Sequence, residues 1–155
     1  MDNVKNEDSF QAEKIEKKVL QIDRVSRTVR GGRRIRFRAL VAVGNHAGKV
    51  GIGVAKGPEV ALAVEKATKI AQKQMIEVPI INGTIPQVMR INHGSVEIIL
   101  KPAKEGTSIV AGGAIRTICE LAGIKNIVGK ILGTSNKINN SKALIFAFEK
   151  ISKEK

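Results

Sequence analysis

A strict alternation of apolar and cationic residues along residues 34–41 constrains the fold more than any other feature of the sequence. The apolar positions are Ile35, Phe37, Ala39 and Val41, and the cationic positions are Arg34, Arg36 and Arg38. Successive side chains of a β-strand point to opposite faces, so the pattern predicts one buried face and three guanidinium groups about 7 Å apart on the other. The preceding Gly31-Gly32 pair predicts a hairpin turn with positive φ angles.

The same region holds most of the arginine in the chain. Seven of the nine arginines fall within residues 24–38, which contain no acidic residue: Arg24, Arg27, Arg30, Arg33, Arg34, Arg36 and Arg38. Outside this window lysine carries nearly all of the positive charge. Because a guanidinium group can bind a phosphate through two parallel hydrogen bonds, the switch to arginine predicts a phosphate-rich partner.

The segment before the arginines is predicted to form a short helix or lead-in over residues 13–19, followed by a strand. Leu20 and Ile22 are the first apolar positions of this strand. After Asp23 the apolar positions shift by one residue to begin at Val25, which is typical of a β-bulge.

A third strand, predicted over residues 49–55, has one face made of Gly51, Gly53 and Ala55. A face without large side chains admits close approach, and both RNA and a packed helix remain open as its partner. Pro58 predicts the first position of a following helix. The predicted buried stripe of that helix is Val60, Val64, Ala67 and Ala71.

The second half of the chain alternates between strands and helices. Strands are predicted over 87–91, 95–101 and 126–132, with a helix over 114–122 that buries Ile115, Ile118 and Leu121 and ends at Gly123. Asn139 or Asn140 is predicted to cap a last helix ending near residue 152. The helix N-termini at Pro58, Gly113 and Asn140 are candidate anion sites.

Pro79, Asn82-Gly83 and Pro86 interrupt regular structure and predict a junction between two domains. The predicted organisation is a flexible N-terminal extension over 1–18, a first domain over 19–76, a linker over 77–84 and a second domain over 85–155. The order of elements before the junction resembles a double-stranded-RNA-binding fold, which recognises RNA by shape and phosphates.

The composition is typical of a globular protein with a polyanionic partner. The chain has 155 residues, a hydrophobic share of 43% and a formal net charge of +13. Aromatic residues make up 3%, which argues against a protein that binds single strands by stacking bases on aromatic side chains. No segment approaches the roughly 20 apolar residues of a membrane span. The mixed charge of residues 1–18 argues against a secretory signal.

The sequence lacks a recognisable set of catalytic groups. His46 and His93 lie in separate predicted turns, and no cysteines or histidines stand at metal-ligand spacing. The glycine-rich runs 51–57 and 106–113 lack the residues of a dinucleotide fingerprint and of a P-loop, respectively. Cys119 is predicted to be a small core residue in a reducing compartment. We therefore expect no enzymatic activity, no cofactor and no bound metal.

Six stretches, taken in order, resemble the S5 family of bacterial small-subunit ribosomal proteins. They are residues 24–34, 38–44, 48–56, 102–107, 111–116 and 133–136. The resemblance covers about residues 18–149. It implies an α+β fold: a double-stranded-RNA-binding-like α-β-β-β-α domain, then a two-layer α/β domain with a left-handed βαβ crossover.

The resemblance also implies a structural role in the small ribosomal subunit of the cytoplasm. Its members bind 16S rRNA near the neck, touch proteins four and eight, lie beside the mRNA entry path and influence decoding accuracy. Their loop corresponding to residues 25–34 lies near the spectinomycin site. We expect no membrane association and no homo-oligomer. The residues predicted to contact rRNA are Arg24, Ser26, Arg27, Thr28, Arg30, Gly31, Gly32, Arg33, Arg34, Arg36, Arg38, Lys49, Lys56, Gly112, Gly113, Arg116, Thr134, Ser135, Asn136 and Lys137.

Two alternatives remain open at this point. A free-standing double-stranded-RNA-binding regulator would bind isolated duplexes, whereas a ribosomal protein would prefer folded 16S rRNA. The second half also resembles an α/β fold used by some small-molecule kinases, but the missing nucleotide loop and catalytic acid argue against an enzyme.

Overall fold

A computed structural model describes residues 15–153, which form two four-stranded sheets and three helices. The first half contains β1 (Glu16–Val29), β2 (Gly32–Gly44), β3 (Lys49–Gly57), α1 (Val60–Lys73) and β4 (Ile76–Glu77). Its sheet has the order β1-β2-β3-β4, and all neighbouring strands are antiparallel. The three long strands and α1 therefore follow the predicted order of the first domain.

The second half contains β5 (Met89–His93), β6 (Val96–Pro102), β7 (Ile109–Val110), α2 (Gly113–Ala122), β8 (Ile127–Ile131) and α3 (Lys137–Lys153). Its sheet has the order β5-β6-β8-β7, in which β7 and β8 are parallel and the other pairs antiparallel. The β7–α2–β8 unit is the crossover between parallel strands. No helix within residues 15–153 is long and apolar enough to span a bilayer.

The glycine face of β3 packs against a helix. A Cβ atom built on Gly53 would lie 2.1 Å from the backbone oxygen of Ala67, and one built on Gly51 would lie 2.4 Å from that of Ala71. Both alanines are fully buried on α1. Of the two partners that the sequence left open for this glycine face, the helix is the correct one, because α1 occupies the space in which RNA would have to lie.

The other face of the first sheet packs against the second half of the chain. Ala42, Val50 and Ile52 belong to one large core together with residues of the second sheet, α2 and α3, such as Leu121 and Phe148. A smaller core lies between the opposite face of the sheet and α1. The two halves therefore share their main hydrophobic core instead of each enclosing its own.

The beginning of β1 differs from the sequence-based expectation. Glu16 already pairs with Gly44, so the helix predicted over 13–19 is wrong from Glu16 onward, while residues 13 and 14 lie outside the described residues. The β-bulge lies between Val19 and Gln21, not after Asp23. The extra residue at this early position reverses the facing of the residues that follow.

This reversal explains two side chains of β1. Leu20 packs against the large core, whereas Ile22 is 45% exposed, so its predicted place on the buried face is wrong. Gln21 and Asp23 take the inward-facing positions and are partly buried. The sequence pattern misplaced the bulge because Ile22 is apolar but points outward.

The starts of α1 and α3 also differ from the predictions. Helix α1 begins at Val60 with Glu59 as its N-cap, so the prediction that Pro58 is its first residue is wrong. Val60 is 37% exposed, so its predicted place in the buried stripe is also wrong. Helix α3 begins at Lys137, because the side-chain Oδ1 of Asn136 accepts hydrogen bonds from the backbone N–H groups of the first turn. Asn139 and Asn140 are therefore not its caps.

Within the predicted linker, Glu77 belongs to β4, which pairs with Lys49 at the edge of the first sheet. Helix α2 matches its prediction closely: Ile115, Ile118 and Leu121 are completely buried, and Gly123 ends it with a φ of 94°. Cys119 is also completely buried, as predicted. Burial raises the pKa of its thiol to about 12, so the thiol is protonated at neutral pH.

Candidate nucleic-acid interface

Strands β1 and β2 extend beyond the rest of the first sheet as a two-stranded arm. The pairing of β2 with β3 ends where Phe37 meets Gly57, but the pairing of β1 with β2 continues to Val29 and Gly32. We call residues 24–37 the arm, which extends about 20 Å at roughly 3.3 Å per residue. Ile35 is 41% exposed because β3 ends opposite Phe37 and does not cover it, so its predicted burial is wrong.

The turn of the arm uses one of its two glycines in an unusual conformation. Gly32 has a φ of 144°, whereas Gly31 does not have a positive φ. Neither glycine has a heavy atom within 4 Å of a built Cβ atom. The prediction of positive φ therefore holds for Gly32 and is wrong for Gly31.

One face of the arm carries cations directly across from each other. Arg27 pairs with Arg34 in the strand register, and Val25 pairs with Arg36. These residues line a groove of about 390 Å³ together with Lys56 from the end of β3. Like charges on directly opposed residues of a sheet repel each other, so the groove favours an anion bound between these arginine side chains.

The opposite face of the arm also presents polar groups to solvent. Thr28 is across from Arg33, Ser26 is across from Ile35, and Arg24 is across from Phe37. The predicted contact residues on this face are all exposed: Arg24, Ser26, Thr28 and Arg33. A polyanion could therefore reach the arm from both sides and from its tip, where Arg30 is exposed.

Arg38, at the base of the arm, has an acidic partner. Its Nη2 donates a hydrogen bond of 2.8 Å to the Oδ2 of Asp23, and the side-chain amide of Gln21 donates to the other carboxylate oxygen at 2.8 Å. The hydrogen bond from Arg38 lowers the pKa of Asp23 against the opposing effect of burial, and the bond from Gln21 lowers it further. Arg38 is therefore tied to β1 by an ion pair, although 36% of its side chain is exposed.

The arginines of the arm itself have no such partner. Within residues 15–153, none of them forms a salt bridge: Arg24, Arg27, Arg30, Arg33, Arg34 and Arg36. All six are exposed. The fold thus leaves six guanidinium groups uncompensated along one projecting element.

The other residues predicted to contact rRNA lie at several separate positions on the protein. Lys56 joins the groove of the arm, while Lys49 lies at the other end of β3, where it pairs with Glu77 in the strand register. Lys137 lies close enough to Asp23 to help lower the pKa of that carboxyl group. Thr134 and Asn136 shape the turn that begins α3, because their side-chain oxygens accept hydrogen bonds from backbone N–H groups. The backbone oxygen of Thr134 also accepts one from the side-chain amide of Asn140.

The rRNA-contacting residues that were predicted around α2 do not line the groove of the arm. Gly112 precedes the helix and Gly113 is its first residue. Arg116 is exposed, and its Nε lies 3.3 Å from Glu120, whose carboxylate also contacts Lys18 at 3.4 Å. In the part of the chain that the structure describes, no group of three metal-ligating side chains occurs.

Two features of the surface were missed in the sequence. Asp23 anchors Arg38, and it could have been found from the strand register once the bulge was correctly placed. Phe146 is 58% exposed on α3, which a count of aromatic residues does not reveal. Both depend on the facing of a side chain within its element, not on the residue type.

A basic α+β protein with a projecting arginine-rich arm has the charge distribution expected of the class of nucleic-acid-binding proteins. Comparison with known families narrows this class. Residues 15–79 match the model of "Ribosomal protein S5, N-terminal domain", and residues 91–155 match that of "Ribosomal protein S5, C-terminal domain". The chain belongs to the ribosomal protein S5 family.

Two curated relatives cover most of the chain. The small ribosomal subunit protein uS5c of Cyanidium caldarium is 46% identical over 136 residues, which are 87% of this chain and 81% of the relative. The small ribosomal subunit protein uS5 of Gloeothece citriformis (strain PCC 7424) is 47% identical over 135 residues, covering 86% and 78% respectively. The predicted family and two-domain α+β architecture are thereby confirmed.

Membership also bears on the predicted role. The family consists of structural ribosomal proteins, not enzymes, which confirms the prediction that this chain is not an enzyme. Its homologues are components of the small ribosomal subunit, the location predicted from the sequence.

Proposed function

We propose that this chain binds 16S rRNA near the neck of the small ribosomal subunit, with the arm as its main RNA-binding element. The observation that carries the proposal is the uncompensated charge of the arm, where Arg27 faces Arg34 and Arg36 lines the same groove. RNA phosphates would remove the repulsion between these side chains and accept their paired hydrogen bonds.

The finer elements of the proposal follow the family resemblance. The chain would lie beside the mRNA entry path, contact proteins four and eight and support decoding accuracy, with the tip of the arm near the spectinomycin site. The exposure of Arg30 and Gly31 at that tip is compatible with such a contact. In this role the protein catalyses nothing; it holds a cationic arm where RNA helices converge.

The arginines of β2 should contribute unequally. Arg34 and Arg36 are exposed and line the groove, whereas Arg38 is bound to Asp23. RNA would have to compete with that carboxylate for Arg38. We therefore expect Arg34 and Arg36 to supply most of the phosphate contacts of this strand.

The salt dependence of binding tests this assignment. For a protein with Arg34→Gln and Arg36→Gln, the log–log slope of rRNA affinity against salt should decrease by about 1.4 to 1.8 if each arginine holds one phosphate. Arg38→Gln should change the slope much less. Lys66→Gln with Lys73→Gln is a matched control, because it removes the same charge from exposed positions on α1.

An unchanged slope for the Arg34 and Arg36 variant would contradict the proposed role of the groove. A slope that decreases equally in the α1 control would show that general charge, not the arm, drives binding.

Sedimentation separates the ribosomal role from that of a duplex-binding regulator. The native protein should travel with the small subunit at high salt and should prefer folded 16S rRNA to an isolated duplex.

A further inference from the structure

Helix α3 carries an exposed stripe that the hydrophobic core does not explain. Asn139, Lys142, Phe146 and Lys150 follow one another at spacings of three, four and four residues, so they lie on one face of the helix. All four are exposed, and Phe146 is 58% exposed. A lysine therefore lies one helical turn before the phenylalanine and another lies one turn after it.

The exposure of Phe146 sets it apart from the other phenylalanines of the described residues. Phe148 is completely buried in the large core, and Phe37 packs against the smaller one. The core side of α3 is already occupied by Ala143, Leu144 and Phe148. Phe146 thus contributes a large aromatic surface to solvent without contributing to either core.

A second ring and a small groove lie beside this phenylalanine. The centroids of the Phe146 and His93 rings are 5.9 Å apart, with 31° between their planes. The adjoining groove, of about 250 Å³, lies between the β5–β6 turn and α3, and its lining includes His93, Ser95, Asn139 and Lys142. Aromatic surface, hydrogen-bonding groups and a cation are therefore available within one small region.

We propose that this region, which we call the α3 platform, binds an unpaired nucleotide of RNA. The base would stack on Phe146, with His93 at its side, and the flanking phosphates would approach Lys142 and Lys150. Phenylalanine and histidine are common stacking partners for unstacked RNA bases, and lysine neutralises phosphates. Lysines on either side of the ring favour an anionic ligand over an apolar protein segment. The proposal rests on the proposed rRNA-binding function and adds a second contact distant in sequence from the arm.

Tryptophan fluorescence gives a direct test, because the natural chain contains no Trp. Phe146→Trp should report stacking by losing fluorescence as a single-stranded oligoadenylate is added, with saturation. A perfectly paired RNA duplex should have little effect. Leu62→Trp is the matched control, since Leu62 is 41% exposed on α1, and its fluorescence should not respond in this saturable way. Equal quenching in both variants would overturn the proposal.

Affinity measurements complete the test. Phe146→Ala should weaken binding of the oligoadenylate by about 5- to 150-fold while leaving the salt slope unchanged, because stacking is not ionic. Lys142→Gln with Lys150→Gln should instead reduce the slope by about 0.7 for each phosphate lost. Thermal unfolding would establish that the variants remain folded.

Unchanged affinity in Phe146→Ala, or loss of binding to a ribosomal protein without loss of RNA affinity, would overturn the α3 platform. Its failure is distinguishable from failure of the arm. If Arg34→Gln with Arg36→Gln still reduces rRNA affinity and salt slope, the proposed function survives without this second contact. If the arm variants bind rRNA normally and Phe146→Ala does not, the platform survives and the role of the arm falls.

Discussion

Substituting Gly53 by alanine tests how closely α1 and the first sheet must approach. The backbone of Gly53 does not have a positive φ, so the new residue would not be strained by its own conformation. Its Cβ atom, however, would lie 2.1 Å from the backbone oxygen of Ala67 and 2.8 Å from the backbone nitrogen of Ala71. These are backbone atoms of a helix and cannot be relieved by rotating a side chain.

The magnitude follows from the displacement that the methyl group requires. Ordinary van der Waals contact begins near 3.4 Å, so β3 and α1 would have to separate locally by about 1.3 Å. A gap of 0.5–1 Å already removes about a quarter to a half of the dispersion energy between packed atoms. The completely buried alanines of α1 would lose such contacts. We expect Gly53→Ala to lower the free energy of unfolding by about 3 kcal/mol, at the upper end of overpacking effects.

Urea unfolding followed by circular dichroism would measure this loss. Gly31→Ala is the control, because Gly31 lacks a positive φ and has no heavy atom within 4 Å of a built Cβ atom. Its unfolding free energy should stay within about 0.5 kcal/mol of that of the natural chain. A Gly53→Ala protein as stable as the Gly31→Ala protein would refute the argument that α1 needs a glycine beneath it.

Two further predictions concern titratable groups. The hydrogen bond from Arg38 lowers the pKa of Asp23 in the folded state. The ionised Asp23 carboxylate should therefore stabilise the fold above about pH 4, and this stabilisation should be lost as the pH falls through the folded pKa. Asp23→Asn should therefore cost about 1 kcal/mol at pH 7, and unfolding measured over pH should show this difference shrinking in acid; a constant difference would contradict it. Cys119, with its pKa raised to about 12 by burial, should react with a thiol reagent at pH 8 in denaturant but hardly at all in the native protein, and rapid native labelling would contradict that expectation.

The sequence predicts an element well where its pattern and its environment agree. Helix α2 buries Ile115, Ile118 and Leu121 on one face and then ends at a glycine in the left-handed conformation. The apolar periodicity of this segment and the glycine that follows it therefore predict the same helix with the same end. The alternation along β2 likewise gives the correct facing of Arg34 and Arg36, which share the groove.

The failures arise where burial depends on a neighbouring element. Ile35 has the alternation of a buried residue, but β3 ends opposite Phe37 and leaves it uncovered. Ile22 is exposed because the bulge lies between Val19 and Gln21, before Ile22, whereas the apolar pattern places it after Asp23. Neither the length of a neighbouring strand nor the position of an extra residue is encoded locally. The candidate arm could be predicted, whereas its length and the capture of Arg38 by Asp23 could not.

The division between the arm and the body of the sheet explains how the fold tolerates so many unpaired arginines. An isolated two-stranded hairpin is marginally stable in water, and opposed guanidinium groups at Arg27 and Arg34 weaken this one further. The same two strands, however, continue into a sheet covered on both faces, where Ala39, Val41 and Val43 are completely buried. The body therefore holds the register of the arm, and the Asp23–Arg38 pair stands where the two regions meet. Repulsion within the arm is confined to residues whose charge a polyanion can neutralise. Under the proposed function, RNA bound at the arm would therefore also stabilise it.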